Sequence, residues 1–456
     1  MEGAGPGPGG RSGVVTAAAR LAGSLRLPAD KSVAHRALLF NAMGAGTATV
    51  RLDRPGGDVL SMARALQALG AVEDLAAGDM GVTVATVRGG GTAAAARLPG
   101  GGGETLDCGN AGTAMRLLAG ALAGRPGTAT LVGDASLSGR PMERIAAPLR
   151  AVGAAIETAD GHAPLRITGR RPLLAMAHRP AVASAQVIGC LSLAALAAGG
   201  TTTIEVPGPT RDHTERMLSW LGAPVRRDGL VTIIEGPAGF AARSLTVPGD
   251  ISSAAAWLVA GALHPDAEIR LVGVGLNPSR VGIIDVLRDM GADIEVTLDD
   301  GDGGDGGDGP PDHPEPVGTI TVRGGRPLRA IAISGDRVAD VIDELPLIGV
   351  AMAAAEGRSE LRDAAELRVK ESDRIALVVA DLAAVGAQVE ERPDGWVVRR
   401  GQPREAAIHT DGDHRIAMAF AIAAVCGVAG TVRIDDPACA AVSYPSFWTD
   451  LETLSR

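Results

Sequence analysis

Leu287-Arg288-Asp289-Met290-Gly291-Ala292-Asp293-Ile294 reads as the end of an amphipathic helix, a stop, and the entry to a strand. Glycine takes the positive φ that a helix C-terminus asks for, so the segment predicts its own boundary. The Gly-Ala step recurs in Ala65-Leu66-Gln67-Ala68-Leu69-Gly70-Ala71-Val72, Leu149-Arg150-Ala151-Val152-Gly153-Ala154-Ala155-Ile156, Leu218-Ser219-Trp220-Leu221-Gly222-Ala223-Pro224-Val225 and Leu382-Ala383-Ala384-Val385-Gly386-Ala387-Gln388-Val389. Runs rich in β-branched residues and bounded by turns, such as Thr202 to Val206 and Glu268 to Val272, predict strands between these helices.

Working outward, a second pattern appears six times: a small or polar turn, an Ala-rich apolar segment, and another glycine turn. The six segments open at Lys31-Ser32, Asn110-Ala111-Gly112-Thr113, Ser184-Ala185-Gln186, Ser252-Ser253, Asp343-Glu344 and His414-Arg415. A helix apolar on every side belongs in a core, so each is expected to be buried. Together the patterns predict six copies of a βαβα-plus-strands unit, about 70 to 90 residues each, and hence an α/β (α+β) chain of two similar three-unit domains. Ile416 to Val432, the longest uncharged run, is expected to be a buried helix followed by a turn and a strand, not a membrane span.

Composition narrows the function. The chain has 456 residues, 46% hydrophobic and 21% charged, enough for a core in two or three domains. A net charge of −10 supplies no general cationic field for nucleic acid or an anionic membrane, so anionic partners require a local pocket of cations. Cys108, Cys190, Cys426 and Cys439 are far apart and form no Cys-x-x-Cys pair, which argues against zinc and redox chemistry and suits a reducing cytoplasm. The start, Met1 to Pro6, lacks a basic region followed by an apolar one, and residues 1–12 are expected to be a disordered arm. The Gly/Asp stretch 299–316 lacks the apolar position of a calcium-binding repeat and is expected to be a solvated loop.

Two of the 43 cationic residues are lysines, Lys31 and Lys370. A chain that uses arginine almost everywhere keeps lysine where a compact, deprotonatable ammonium is required, so both are active-site candidates. Helix N-termini attract anions. Several of the six starts add a cation in or near the first turn: Lys31, Arg36, Arg116 and Arg415. Further cations lie in the short motifs Ser138-Gly139-Arg140-Pro141-Met142, Thr210-Arg211-Asp212-His213 and Glu366 to Arg374, which holds Arg368, Lys370 and Arg374. Their neighbours leave each arginine little local company, so these side chains are expected to serve a substrate bearing phosphate and carboxylate. His35, His213 and His414 adjoin the motifs without metal-ligand spacing and are expected to act through structural hydrogen bonds.

The motifs Leu27 to Arg36, Gly109 to Arg116, Ser184-Ala185-Gln186, Arg211 to Glu215, Leu367 to Arg374 and Asp413 to Met418 resemble, in order from about residue 20 to the C-terminus, the 3-phosphoshikimate 1-carboxyvinyltransferase (EPSP synthase) family of enolpyruvyl transferases. The resemblance implies transfer of the enolpyruvyl group of phosphoenolpyruvate to the 5-hydroxyl of shikimate 3-phosphate, releasing phosphate, on the route to chorismate and aromatic amino acids, without metal or cofactor. It implies an enolpyruvyl transferase-like fold closing on its substrates between two domains, one of them discontinuous. These are residues 13–27 with 246–456, carrying the acidic loop 299–316, and an inserted domain 28–245.

Carried over by position, the resemblance makes Lys31, Asp343 and Glu371 catalytic. Asp343 takes the 5-hydroxyl proton and Glu371 delivers one to the methylene carbon. Lys31, Ser32, Arg36, Ser184, Ala185, Gln186, Arg211, Asp343 and Lys370 are expected at shikimate 3-phosphate. Lys31, Asn110, Gly112, Arg140, Gln186, Arg374 and Arg415 are expected at phosphoenolpyruvate. The partners implied are these two small molecules, for a cytoplasmic monomer. Ala29, Ala185, Glu366 and Val442 depart from residues usual in all or part of the family, which touches contact details more than the reaction. The alternative is UDP-N-acetylglucosamine 1-carboxyvinyltransferase, which shares fold and donor but usually carries a reactive loop cysteine and a Lys-Asn start in place of Lys31-Ser32. A scaffold without catalysis would not need Lys31, Asp343 and Glu371 among so many arginines.

Overall fold

The computed structural model describes residues 13–78, 81–299 and 313–455. The arm 1–12 and most of the acidic loop lie outside the described residues.

The five Gly-Ala steps all close helices in the way the sequence predicts. Gly70, Gly153, Gly222, Gly291 and Gly386 have φ between 72° and 103°. In each case the glycine N–H donates to a carbonyl in the last turn and the following alanine N–H reaches one residue further back, as in Gly291 to Arg288 and Ala292 to Leu287, both 2.9 Å. This double closure satisfies carbonyls a helix end would otherwise leave bare.

The contacts divide the chain into two compact units, one of residues 13–27, 249–298 and 318–455, the other of 28–248 with the described part of 299–317. In the second unit, Thr47–Asp53, Val82–Arg88 and Val72–Ala77 form an antiparallel set, with Leu245–Thr246 added in parallel to Thr47–Asp53. Its next sheet pairs Glu104–Asp107 in parallel with Gly127–Val132, then His162–Gly169 and Ala155–Ala159 antiparallel. The third repeats that order around Ala198–Glu205. In the first unit, Leu21–Arg26 runs parallel to Ala267–Gly275, and Ala332–Ile333 parallel to Arg358–Leu361. Each of these two strand pairs continues into an antiparallel hairpin.

The sixth copy departs from the expectation of equal units. Ala406–Ile408 and Val432–Ile434 pair in parallel, but among the described residues no hairpin follows; Val14–Val15 completes the sheet instead.

Three inner helices per unit pack on one another, Lys31–Met43, Gly112–Ala123 and Ala185–Ala195 in one, Ile251–Leu263, Leu345–Ala354 and His414–Val425 in the other. Their burial explains their sequence. Ile251–Leu263 is buried at every position but its last, Leu345–Ala354 likewise, and His414–Val425 at every position but Arg415. In the other unit only Lys31 and Ser32, Thr113, and Ala185 and Gln186 escape burial, all in first turns. The run Ile416 to Val432 is thus a buried helix and a strand, and among the described residues no helix is long and apolar enough to cross a membrane.

Candidate active site

In the unit of residues 28–248, the inner helix starts hold their cations mainly with neutral partners. Asp30 caps the first of them through the Val33 N–H at 2.9 Å, leaving Lys31 to pair with Asp58 at 3.1 Å. Arg36 is buried one turn on, its Nε donating to Thr214 Oγ1 and its Nη1 to the Ser32 carbonyl, both at 2.9 Å. Burial pushes its pKa down to about 10, still well above neutral pH.

The second start is a tighter cluster. Arg140 Nη2 donates to Asn110 Oδ1 at 2.6 Å, and Asn110 Nδ2 in turn donates to Asp134 at 2.8 Å. Gln186, from the third inner helix, donates to Thr113 Oγ1 at 2.9 Å and accepts a hydrogen bond from Arg116. A Cβ built on Gly112 would stand 3.0 Å from Arg116 Nη1 and 3.3 Å from Arg140 Nη1, so two guanidinium groups crowd this bare helix start. Ser184 makes no side-chain capping bond at its own helix. Arg116 was visible in the sequence as a first-turn cation but has no counterpart in the expected ligand set. Its burial, with Arg144 and Arg140 nearby, pushes its pKa down to about 9. Among the described residues Arg116 and Arg140 are held by amide and hydroxyl groups, with no ion pair to a carboxylate, the character that anion binding at a helix start requires.

The other unit is built on carboxylates. Arg374 is 1% exposed and opens the Arg374–Ala384 helix. Its Nε donates to Asp413 at 2.8 Å, its Nη2 lies 2.8 Å from Glu371, and its Nη1 is 3.8 Å from Asp343. Both expected proton-transfer carboxylates therefore lean on one arginine. Asp413 also accepts from Ser372 Oγ at 3.0 Å and caps the His414–Val425 helix through the Arg415 N–H at 2.9 Å. Burial alone would raise its pKa; Arg374 overrides that and holds it at about 2. Burial also works against the charge of Arg374, yet Asp413 and Glu371 raise its pKa above the usual arginine value. Arg374 Nη1, although buried, has no hydrogen-bond partner among the described residues, as an incoming anion would require. Arg415 Nη1 donates to the Asp343 carbonyl at 2.7 Å. Lys370 Nζ donates to Glu366 at 2.9 Å.

Some expectations need correction. Arg368 has ample company: it binds Asp373 and Glu391, both at 2.8 Å, because Glu391 comes in from a neighbouring strand. Residues 370–373, with Lys370 among them, separate the turn Ala365–Val369 from the Arg374–Ala384 helix. Glu344, the residue after Asp343, stands at the N-cap of the Leu345–Ala354 helix. His213 hydrogen-bonds Glu315, but both ring nitrogens of His35 lack a partner among the described residues, and burial pushes its pKa down to about 3. Asp413 was missed as a site residue; the signal was its place immediately before a cation-bearing inner helix.

The sequence pattern that defines EPSP synthase (3-phosphoshikimate 1-carboxyvinyltransferase) matches residues 15–451. The chain belongs to the EPSP synthase family. It is 44% identical over 446 residues to the 3-phosphoshikimate 1-carboxyvinyltransferase of Gloeobacter violaceus, covering 97% of this chain and 98% of that protein. The Salinibacter ruber protein of the same name is 45% identical over 444 residues, with 96% and 98% covered. The solved EPSP synthase of Acinetobacter baumannii superposes with a TM-score of 0.83 at 36% identity, covering 97% of each chain. The enolpyruvyl transferase NikO of Streptomyces tendae, 19% identical with a TM-score of 0.73, shares the fold. Family membership makes the chain a carboxyvinyltransferase of the shikimate pathway and leaves the sugar-nucleotide alternative without support. Cys108, the cysteine nearest an inner helix start, is buried, which pushes its thiol up to about 12, unlike a reactive loop cysteine.

Proposed function

We propose that this enzyme transfers the enolpyruvyl group of phosphoenolpyruvate to the 5-hydroxyl of shikimate 3-phosphate, and that residues of both units take part. Family membership across residues 15–451 carries the reaction. The arrangement around Arg374 supports the assignment of roles.

In this reading Lys31 serves both substrates. Ser32, Arg36, Ser184, Ala185, Gln186, Arg211 and Lys370 hold shikimate 3-phosphate; Asn110, Gly112, Gln186, Arg140, Arg374 and Arg415 hold phosphoenolpyruvate, and Arg116 joins them through Gln186. Asp343 takes the 5-hydroxyl proton as the oxygen bonds to C2 of phosphoenolpyruvate, while protonated Glu371 gives its proton to C3. The result is a tetrahedral intermediate with a methyl group. Elimination returns a methyl proton to Glu371 and the proton on Asp343 to the departing phosphate, as the bond from C2 to the phosphate oxygen breaks. Cations around the phosphate stabilise the negative charge it gains in leaving. The same reading takes 13–27 with 246–456, and 28–245, as the two domains, and includes a monomer acting in the cytoplasm with no cofactor.

Phosphate release from phosphoenolpyruvate, measured with shikimate 3-phosphate and separately with UDP-N-acetylglucosamine, tests the reading. Release is expected with shikimate 3-phosphate alone. Release with the sugar nucleotide alone would promote the other enolpyruvyl transferase, and release with neither would remove the reaction.

A further inference from the structure

The acidic stretch 299–316 ends in His313-Pro314-Glu315-Pro316, and Glu315 departs from the solvated loop expected there: it is 4% exposed. One of its carboxylate oxygens lies 2.8 Å from Nδ1 of His213, and both side chains are sealed from solvent. The approach is held by His313, whose Nδ1 is 3.0 Å from the Glu315 N–H and whose Nε2 is 3.1 Å from the Thr246 carbonyl.

His213 is the first residue of the His213–Trp220 helix. The residue before it, Asp212, stands at the cap position but makes no capping bond; its carboxylate is spent on Arg216 at 2.8 Å. Nothing in that turn's own sequence therefore anchors its start through a side-chain cap. A buried carboxylate at a helix N-terminus is also favoured by the helix dipole. The turn carries more than its own structure. Arg211 precedes it, Thr214 receives Arg36 Nε at 2.9 Å, and Glu215 accepts from Thr232 at 2.8 Å. Arg36 is buried, and the carboxylates of Glu215 and Glu315 both favour its charge.

We infer that Glu315 is a positioning residue for acceptor binding: by holding His213 it fixes the turn that presents Arg211 and braces Arg36. The inference rests on the reading that Arg211 and Arg36 hold shikimate 3-phosphate. Glu315 acts through that turn and touches no substrate.

The test uses the full chain and separates the KM values of the two substrates, with melting temperature followed in parallel. Glu315→Ala is expected to raise KM for shikimate 3-phosphate roughly tenfold, the scale of one lost hydrogen bond to a charged group. Its kcat and its KM for phosphoenolpyruvate are expected to stay within about twofold, below the 1.4 kcal/mol that marks a tenfold change. Glu315→Gln keeps an acceptor for the imidazole N–H and is expected to restore most of the loss. Arg211→Ala tests the underlying reading: an unchanged KM for shikimate 3-phosphate in that variant removes the reading and the inference together. If Arg211→Ala raises that KM and Glu315→Ala does not, the inference alone falls, even where the melting temperature drops. Should Glu315→Ala fail to fold, Glu315→Asp decides: a shortened carboxylate is expected to raise the same KM, and an unchanged value overturns the proposal.

Discussion

Arg374 and the arginines at the inner helix starts of the other unit are held in opposite ways. Arg36, Arg116 and Arg140 bind hydroxyls, amides and a backbone carbonyl, whereas Arg374 is clasped by Asp413 and Glu371 with Asp343 nearby. The pKa values follow: burial lowers Arg36 to about 10 and Arg116 to about 9, while carboxylates raise Arg374. A guanidinium given only neutral partners keeps its charge for an incoming anion. One surrounded by carboxylates spends much of its charge orienting them, which suits the side proposed to move protons.

The strongest effects are expected where that difference is chemical. Asp343→Ala should lower kcat by about a thousandfold, within the range general acid–base catalysis supplies, and Lys31→Arg should also lower it steeply, both with thermal melting little changed. Near-normal phosphate release by either variant would erase its assigned role.

Substituting one arginine from each group sharpens the contrast. Arg374→Gln leaves Asp413, 0% exposed, without its cation, and breaking a buried pair costs about 3–5 kcal/mol, so stability and rate should both fall. Arg140→Gln leaves Asn110 bonded to Asp134, so KM for phosphoenolpyruvate should rise roughly tenfold, as for a lost charged hydrogen bond, with little change in melting. Equal destabilisation in both variants by denaturant unfolding would dissolve the distinction.

Stability against pH contains a second contrast within the carboxylate-rich unit. Asp413, held at about 2, adds stability that is present above the unfolded value of 3.8 and is lost as pH falls toward 2. Asp381 does the reverse. It is 4% exposed, its Oδ2 has no partner among the described residues, and burial pushes it up to about 7 despite a hydrogen bond from the His409 N–H. The folded state therefore favours its protonated form, and stability falls as pH rises from about 4 through 7. Asp381→Asn should flatten that decline and gain up to about 4 kcal/mol above pH 7. Parallel pH profiles of the two proteins in denaturant melts would show the buried acid to be neutral in effect.

The helix stops give the smallest change. Gly70 has φ of 72° with open space at its Cβ position, so Gly70→Ala carries only the left-handed backbone cost, about 1–2 kcal/mol. Gly386→Ala should cost more, because its Cβ would fall 1.9 Å from the Gln402 carbonyl oxygen. Equal unfolding free energies for the two variants would contradict this.

These glycines also show how much was legible in the sequence. Helix ends are local, and all five Gly-Ala stops were readable because positive φ leaves a residue-type signature. The six inner helices were readable because burial on all sides leaves them overwhelmingly apolar, with their few polar residues gathered mainly in the first two turns. The sixth sheet was not, since its third strand, Val14–Val15, comes from the far end of the chain and two residues carry no pattern. In the candidate site, cations and carboxylates could be named from motifs, but their partners could not. Arg374 with Asp413 is a contact across 39 positions, and Glu315 with His213 across 102. Arg368 resembled a substrate ligand for the same reason: its carboxylate Glu391 lies on a strand 23 positions further along.

Carrying out the reaction in D2O with phosphoenolpyruvate and shikimate 3-phosphate, and reading the product by proton and phosphorus NMR, addresses the division of labour most directly. Protonation of C3 followed by loss of any one of three methyl hydrogens predicts deuterium in the product methylene, with an enol ether on shikimate 3-phosphate and one phosphate released, and Glu371→Gln should abolish it. Phosphate and enol ether formed at a normal rate with no deuterium at that carbon would contradict it.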